Sequence, residues 1–156
     1  MILTTHALAG AVIGKNINNI WLIILLATLM HFVFDSLRHG EYLKTINKKS
    51  TIGNTWWKIA LDLSLGLTLV FTFIFWENPN PIKLRDILFG SFFSMFPDLL
   101  TFLYWKFKIK FLETPYHFHS WAHRAIKKPV QRNWNLRNGA NDILLSVASM
   151  LLLFFV

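Results

Sequence analysis

Four long apolar runs constrain this sequence more than any other feature. A helix needs roughly 20 apolar residues to cross the hydrocarbon core of a bilayer, and four runs come close to that length: Ile17–Leu37, Ile59–Trp76, Ile87–Trp105 and Ala140–Val156. A fifth run, Ile2–Ile13, is too short to span and ends at Gly14, which predicts a helix packed in a tight hairpin. We therefore expect an all-α integral membrane bundle of about five helices, four of them spanning, in a single domain over residues 1–156.

The composition agrees with a membrane protein. Apolar residues make up 54% of the chain and charged residues only 15%, against about 25% charged in soluble domains. The 15 Phe and 7 Trp suit lipid-facing surfaces and interfacial belts. Cysteine is absent, which excludes disulfides and thiolate metal sites. No basic segment precedes the first apolar run, so no cleavable signal peptide is expected.

The basic residues predict an orientation. Of the 16 Lys and Arg, all but Lys15, Lys83 and Arg85 lie in two long connections, residues 38–58 and 106–138. A net charge of +8 would indicate nucleic acid as the partner of a soluble protein. Confined to loops between apolar runs, the charge favours anionic headgroups instead, and no nucleic acid. By the positive-inside rule, the N-terminus and both loops are cytoplasmic in an inner (plasma) membrane, and the C-terminus is outside.

Ionisable residues lie inside the apolar runs, where they are costly and indicate function. His31 and Asp35 are four residues apart and share a helix face. Counted from the outer helix ends at 1.5 Å per residue, one depth of roughly 20 Å is predicted for four groups: His31, Asp62, Asp98 and Asp142. His6 is expected somewhat deeper. Several helices should therefore bring ionisable groups into one layer near the cytoplasmic interface.

The second long connection adds three histidines on the same side. If Pro115 opens a short helix, His119 and His123 share a face and His117 points elsewhere. Three to five histidines and three aspartates in one layer match the donors of Zn²⁺ or another divalent transition metal. Without a cation, the carboxylates would repel one another or take up protons. The sequence thus predicts a divalent metal site, with Zn²⁺ as the best fit and room for more than one ion, and assigns no role to three residues: His39, His117 and Asp142.

Three short motifs carry a resemblance to a known family. Thr5-His6, the segment from Met30-His31 to Asp35, and Phe96-Pro97-Asp98 resemble the motifs of membrane-bound metal-dependent hydrolases. That family is distantly similar to the zinc-dependent phospholipase C fold. In better-known members the Pro-Asp segment precedes the His-x-x-x-Asp motif, whereas here it follows. Their second Asp and a His-Arg-Gly-x-Thr-His stretch are absent here. The resemblance implies six metal ligands: His6, His31, Asp35, Asp98, His119 and His123.

The function expected from these features is metal-dependent hydrolysis of a phosphoester at the cytoplasmic interface, with a lipid as the expected substrate. Zn²⁺ lowers the pKa of bound water to about 7, which supplies hydroxide at neutral pH. The catalytic residues in this interpretation are His31, Asp35 and Asp98. Asp62 is a further metal ligand or a partner that fixes a histidine tautomer, and Arg38 and Arg124 are candidates to hold the substrate phosphate.

Two alternatives use the same residues. A transporter would pass a metal ion or a proton through the bundle. The outer half has few polar groups beyond Ser64, Thr68, Thr72 and Ser91, which disfavours transport. A non-catalytic scaffold would hold a structural metal that joins the helices.

Overall fold

The chain folds as an assembly of helices. A computed structural model describes residues 2–39, 56–125 and 136–156, and within those ranges it contains six α-helices and no strand. They are α1 (Leu3–Asn16), α2 (Ile20–Ser36), α3 (Trp57–Glu77), α4 (Pro81–Phe107), α5 (Glu113–Ala125) and α6 (Leu136–Phe155). The all-α prediction is confirmed, and α5 is added to the five helices expected. Most of the predicted loop 38–58 and part of the loop 106–138 lie outside the described residues.

The number of helices that could span a bilayer is smaller than predicted. In the described part of the chain, two helices, α3 and α4, are long and apolar enough to cross a membrane. The prediction of four is therefore wrong by length. α2 has only 17 residues because Asn19 caps it, accepting hydrogen bonds from the backbone N–H groups of Trp21 and Leu22. The apolar part of α6 is similarly short, since it begins at Gly139.

The connection between α3 and α4 shows how the sequence ends one helix and starts the next. Asn78 closes α3 in the left-handed conformation, with φ of 47°, which asparagine tolerates better than most residues. Asn80 then accepts a hydrogen bond from the Lys83 backbone N–H, and Pro81 occupies the first turn of α4, where its missing N–H costs nothing. A three-residue connection, residues 78–80, thus joins the two longest helices, and α1 packs against both of them.

The short helix α1 lies at the centre and contacts α2, α3, α4 and α6. Glycines let its backbone approach α4 closely: a Cβ on Gly10 or on Gly90 would collide with the carbonyl of the other, and one on Gly14 would meet the Asp86 backbone. Small residues at such a contact are typical of helix packing in membranes. The core around α1 is apolar and consists of Ala7, Leu8, Ala11, Val70, Phe73, Ile87 and Leu153. This packing fixes the first turn of α1, which carries His6.

Candidate metal centre

A buried polar cluster lies at the end of the bundle where α1 begins and α2 ends. Its centre is Asp35, a fully buried residue in the last turn of α2. α1 contributes His6, α4 contributes Asp98 and α5 contributes His119 and His123. With His31 on α2, the structure therefore brings together six of the seven predicted metal ligands around one carboxylate.

The donor atoms around Asp35 are closely spaced. The Nε2 atoms of three histidines lie near Asp35 Oδ2: His31 at 3.1 Å, His119 at 3.0 Å and His123 at 2.9 Å. His6 Nε2 lies 3.3 Å from Asp35 Oδ1. In a tetrahedral site with metal–ligand bonds of 2.0–2.1 Å, adjacent donor atoms are about 3.3 Å apart. The separations observed here are close to that value, so side chains of this cluster can hold a metal ion.

Hydrogen bonds on the far side of the rings fix where the ring protons are. His31 Nδ1 donates to the backbone carbonyl of Ser94 at 2.8 Å, and His39 Nδ1 donates to that of Leu37 at 2.9 Å. A carbonyl oxygen has no hydrogen, so each Nδ1 carries the proton and a neutral ring presents the lone pair of Nε2. Metal-binding histidines use their other nitrogen in this way.

Three imidazole nitrogens converge beside one oxygen of Asp35. The Nε2 atom of His119 lies 3.1 Å from that of His31 and 2.9 Å from that of His123. An Nε2 proton on His119 can be donated to Asp35 Oδ2, whereas rings protonated on Nδ1 would meet through lone pairs and repel one another. A proton or a metal cation at the centre removes this repulsion, and a cation satisfies several donors at once.

The helix α5 places its histidines as the sequence spacing predicts. It begins at Glu113, two residues before Pro115, and His119 and His123 are buried one turn apart. The Thr101 hydroxyl is hydrogen-bonded to His119 Nδ1 and holds that ring from behind. His117 is exposed on another face, with Nε2 3.7 Å from the Glu113 carboxylate.

Asp98 is the most accessible member of the cluster. Its side chain is 25% exposed, and Oδ1 lies 3.6 Å from His119 Nε2. Asp35, in contrast, is fully buried. Of the two carboxylates in the cluster, Asp98 is therefore the one with accessible surface.

Asp62 does not join the cluster. Its carboxylate accepts hydrogen bonds from the backbone N–H groups of Leu3 at 2.7 Å and Thr4 at 3.1 Å, and from the Thr4 hydroxyl at 2.7 Å. α1 has no side-chain cap of its own at Ile2, so a carboxylate from α3 satisfies its first N–H groups and complements the helix dipole. Asp142 of α6 accepts from the Ile2 N–H at 3.1 Å. Depth in the bundle therefore did not predict the role of Asp62, which is to cap α1.

Two arginines, Arg38 and Arg124, are predicted to hold the substrate phosphate. The backbone carbonyl of Arg38 accepts a hydrogen bond from the Asn141 side chain at 2.8 Å, which ties the segment after α2 to α6. In the sequence, Arg38 directly precedes His39, which belongs to the cluster. Arg124 belongs to α5, but its side chain lies outside the described part of the chain.

His39 is the residue that sequence reasoning missed. It is fully buried, with Nε2 3.9 Å from Asp35 Oδ1 and its ring centroid 5.4 Å from that of His123. The available signal was its spacing, because His39 follows Asp35 by four residues just as Asp35 follows His31. The sequence predicts that α2 ends near Leu37, which places His39 in a loop, and a spacing of four residues implies a shared face only within a helix.

The cluster offers two groups of candidate metal ligands. One consists of His31, Asp35, Asp98 and His119, the other of Asp35, His39 and His123, and within each group the donor atoms lie within 4.8 Å of one another. His6 belongs to neither group, although it contacts Asp35. No family model, no curated protein and no solved structure matches the chain. The evidence for a metal-binding site is therefore the geometry of these side chains.

Proposed function

We propose that this protein is an integral membrane hydrolase that uses a divalent metal ion, best fitted by Zn²⁺, to cleave a lipid phosphoester. The observation that carries the proposal is the set of three imidazole Nε2 atoms that surround one oxygen of the buried Asp35 carboxylate. Nitrogen and carboxylate oxygen donors without thiolates suit a catalytic zinc site. The sequence motifs resemble those of metal-dependent hydrolases, and this resemblance favours the same class of reaction.

Exposed apolar surfaces support a location in the bilayer. Along α2, Leu25, Leu29 and Val33 recur at helical spacing and are each about half exposed. The outward faces of α3 and α6 also expose large apolar side chains, among them Leu61, Leu65, Phe75, Ile143, Val147 and Leu151. Soluble monomers rarely expose apolar patches on this scale. Lipid contact on several sides accounts for them, including on the helices shorter than a full span.

A groove beside the cluster supports a lipid as the substrate. It lies between α2 and α4, is bounded by α5 and has a volume of about 320 Å³. Phenylalanines supply much of its lining (Phe32, Phe93, Phe96 and Phe118), and His119 of the cluster also lines it. Because this apolar groove reaches the His119 imidazole, it could hold an acyl chain of a lipid whose phosphoester headgroup lies at the cluster.

The residues divide into two roles in this proposal. His31, Asp35 and His119 hold the metal, which would supply Lewis acidity and hydroxide at neutral pH. Asp98, the more accessible carboxylate of the cluster, lies with Oδ1 3.6 Å from His119 Nε2 and would complete this ligand group. Arg38 adjoins the cluster and is the candidate for pairing with the phosphate.

Transport of a cation is less well supported by the structure. Beyond the cluster, the interior of the described bundle is closed by Phe73, Ile87 and Leu153, which are fully buried and apolar. A cation moving along the bundle would have to pass these apolar side chains. The cluster is therefore better suited to chemistry at one interface.

A comparison of two histidine variants on one helix tests the proposed hydrolase. Detergent-purified protein is stripped with a chelator, reloaded with Zn²⁺ and given phospholipids with monoester or diester headgroups in mixed micelles. We expect metal-dependent release of the phosphoester product, reduced at least about 10-fold in His119→Ala, because a lost ligand should cost no less than a lost outer-shell partner. His117→Ala, an exposed histidine on α5, should retain activity. No metal-dependent hydrolysis of either headgroup class, or equal loss in both variants, would contradict the proposal.

A further inference from the structure

The two oxygens of Asp35 face different histidines. Oδ2 is close to the Nε2 atoms of His31, His119 and His123, whereas Oδ1 faces His6 and His39. A carboxylate with imidazole nitrogens near both oxygens can be a ligand to two ions, here with His39 on the Oδ1 side and His123 nearest Oδ2. The two groups of candidate metal ligands in this cluster share Asp35 and no other residue.

The number of donors exceeds what one tetrahedral ion can use. Five histidines and two aspartates lie in the cluster, whereas a zinc ion takes four ligands, or five during catalysis. Two atoms that each lie about 2.1 Å from one ion are at most about 4.2 Å apart. The separation of 3.9 Å between His39 Nε2 and Asp35 Oδ1 satisfies this limit.

A neutral His39 ring cannot donate a hydrogen bond to Asp35. Its Nδ1 donates to the Leu37 carbonyl, so the Nε2 atom of the neutral ring is an acceptor that faces a carboxylate. His123 lies beside it, one helical turn beyond His119. Both histidines are buried, so solvent does not separate them from Asp35.

We infer that the cluster holds two metal ions bridged by Asp35, one bound by His31, Asp98 and His119 and the second by His39 and His123. The inference rests on the metal site of the proposed function, but it does not require that function to be catalytic. Two ions about 3.5–4 Å apart would clamp the attacking and leaving oxygens of a phosphoester. The second site therefore deepens the assignment of a phosphoester substrate.

Metal content and magnetic coupling in the full-length, detergent-purified protein test the inference. At saturating Zn²⁺, elemental analysis should give two ions per chain in the unmodified protein and in His117→Ala, and one in His39→Ala. With Mn²⁺ instead, the electron paramagnetic resonance spectrum should show an exchange-coupled pair, replaced in His39→Ala by the six-line signal of an isolated ion. His123→Ala provides a second variant with the same expectation.

A single ion in the unmodified protein at saturation, or two coupled ions in His39→Ala, would overturn the inference. If the His39 and His123 variants fail to fold, the coupled spectrum of the unmodified protein decides by its presence or absence. A coupled pair in a protein that hydrolyses no phosphoester would leave the two-ion site standing and reject the hydrolase. Hydrolysis with one ion per chain would do the reverse.

Discussion

Hydrogen bonds behind the imidazole rings determine what the ring nitrogens at Asp35 can do. The Ser94 carbonyl orients His31, and the Thr101 hydroxyl contacts His119 on the side away from Asp35. These partners belong to α4, whereas the histidines belong to α2 and α5. The packing of three helices therefore sets the direction of each lone pair, and the partners should affect metal binding without touching the metal.

Thr101→Val should weaken metal binding while leaving the fold intact. Valine keeps the shape of threonine but removes the hydroxyl that holds His119 Nδ1. Loss of such an outer-shell partner typically lowers metal affinity by about 10–100-fold. Competition with a chromophoric chelator measures the change, and Thr72→Val is the matched control because the exposed Thr72 hydroxyl bonds within α3, to the Thr68 carbonyl. Unchanged affinity in Thr101→Val would show that the hydroxyl does not position the ring.

Sequence spacing predicted the residues that share a helix better than those that meet across helices. His31 with Asp35, and His119 with His123, follow from a separation of four residues, and the structure places each pair together. The role of Asp62 could not be read this way, because it depends on α1 lacking a cap at its own N-terminus. The Thr101 contact to His119 likewise depends on how α5 packs against α4.

At the level of helices, apolar runs located the elements but not their ends. Each of the five runs corresponds to a helix, yet α4 extends to 27 residues, from Pro81 to Phe107, because Asn80 and Pro81 start it well before the apolar core. α2 is shorter than its run, since Ile17 is extended and Asn19 caps the helix. Polar capping residues therefore decide the length, and length decides which helices can cross a bilayer.

Filling the groove between α2 and α4 should select against long-chain substrates. Thr28 lines this groove, so Thr28→Trp should reduce hydrolysis of long-chain phospholipids about tenfold or more, a loss of at least ~1.4 kcal/mol in transition-state binding. Hydrolysis of a water-soluble aryl phosphoester should be unaffected. Thr68→Trp, in a surface groove on α3 away from the cluster, is the control. Equal rates on long-chain lipids in the two variants would place the acyl chain elsewhere.

The molecule as a whole combines exposed apolar surfaces with a buried cluster of histidines and aspartates at one end. The cluster lies where α1 begins and α2 ends. The two basic connections contain three of its histidines, His39, His119 and His123. The central position of α1 could be expected only in part, as its close contact with α4 depends on the pairing of Gly10 with Gly90 across 80 residues of chain. By the positive-inside rule, the cluster end is expected to be cytoplasmic.

The absence of cysteine makes this orientation directly testable. Glu77→Cys, at the exposed end of α3 beside the turn to α4, should react with a membrane-impermeant maleimide added outside intact cells. Lys110→Cys, exposed between α4 and α5 on the cluster side, should react only after the cells are permeabilised. Labelling of the two positions in the opposite pattern would invert the topology, and labelling of both in intact cells would argue against a spanning bundle.

Metal content of the purified protein, compared with that of two aspartate variants, tests the central claim most directly. Elemental analysis should find stoichiometric divalent metal in the unmodified chain and in Asp86→Asn, which changes a buried carboxylate paired with Arg85 away from the cluster. Asp35→Asn should lose the metal while eluting as the same monodisperse species, because it removes a negative charge at the centre of every proposed ligand set. An unmodified protein that binds no stoichiometric metal, or an Asp35→Asn variant that retains it in full, would contradict a metal centre built on Asp35.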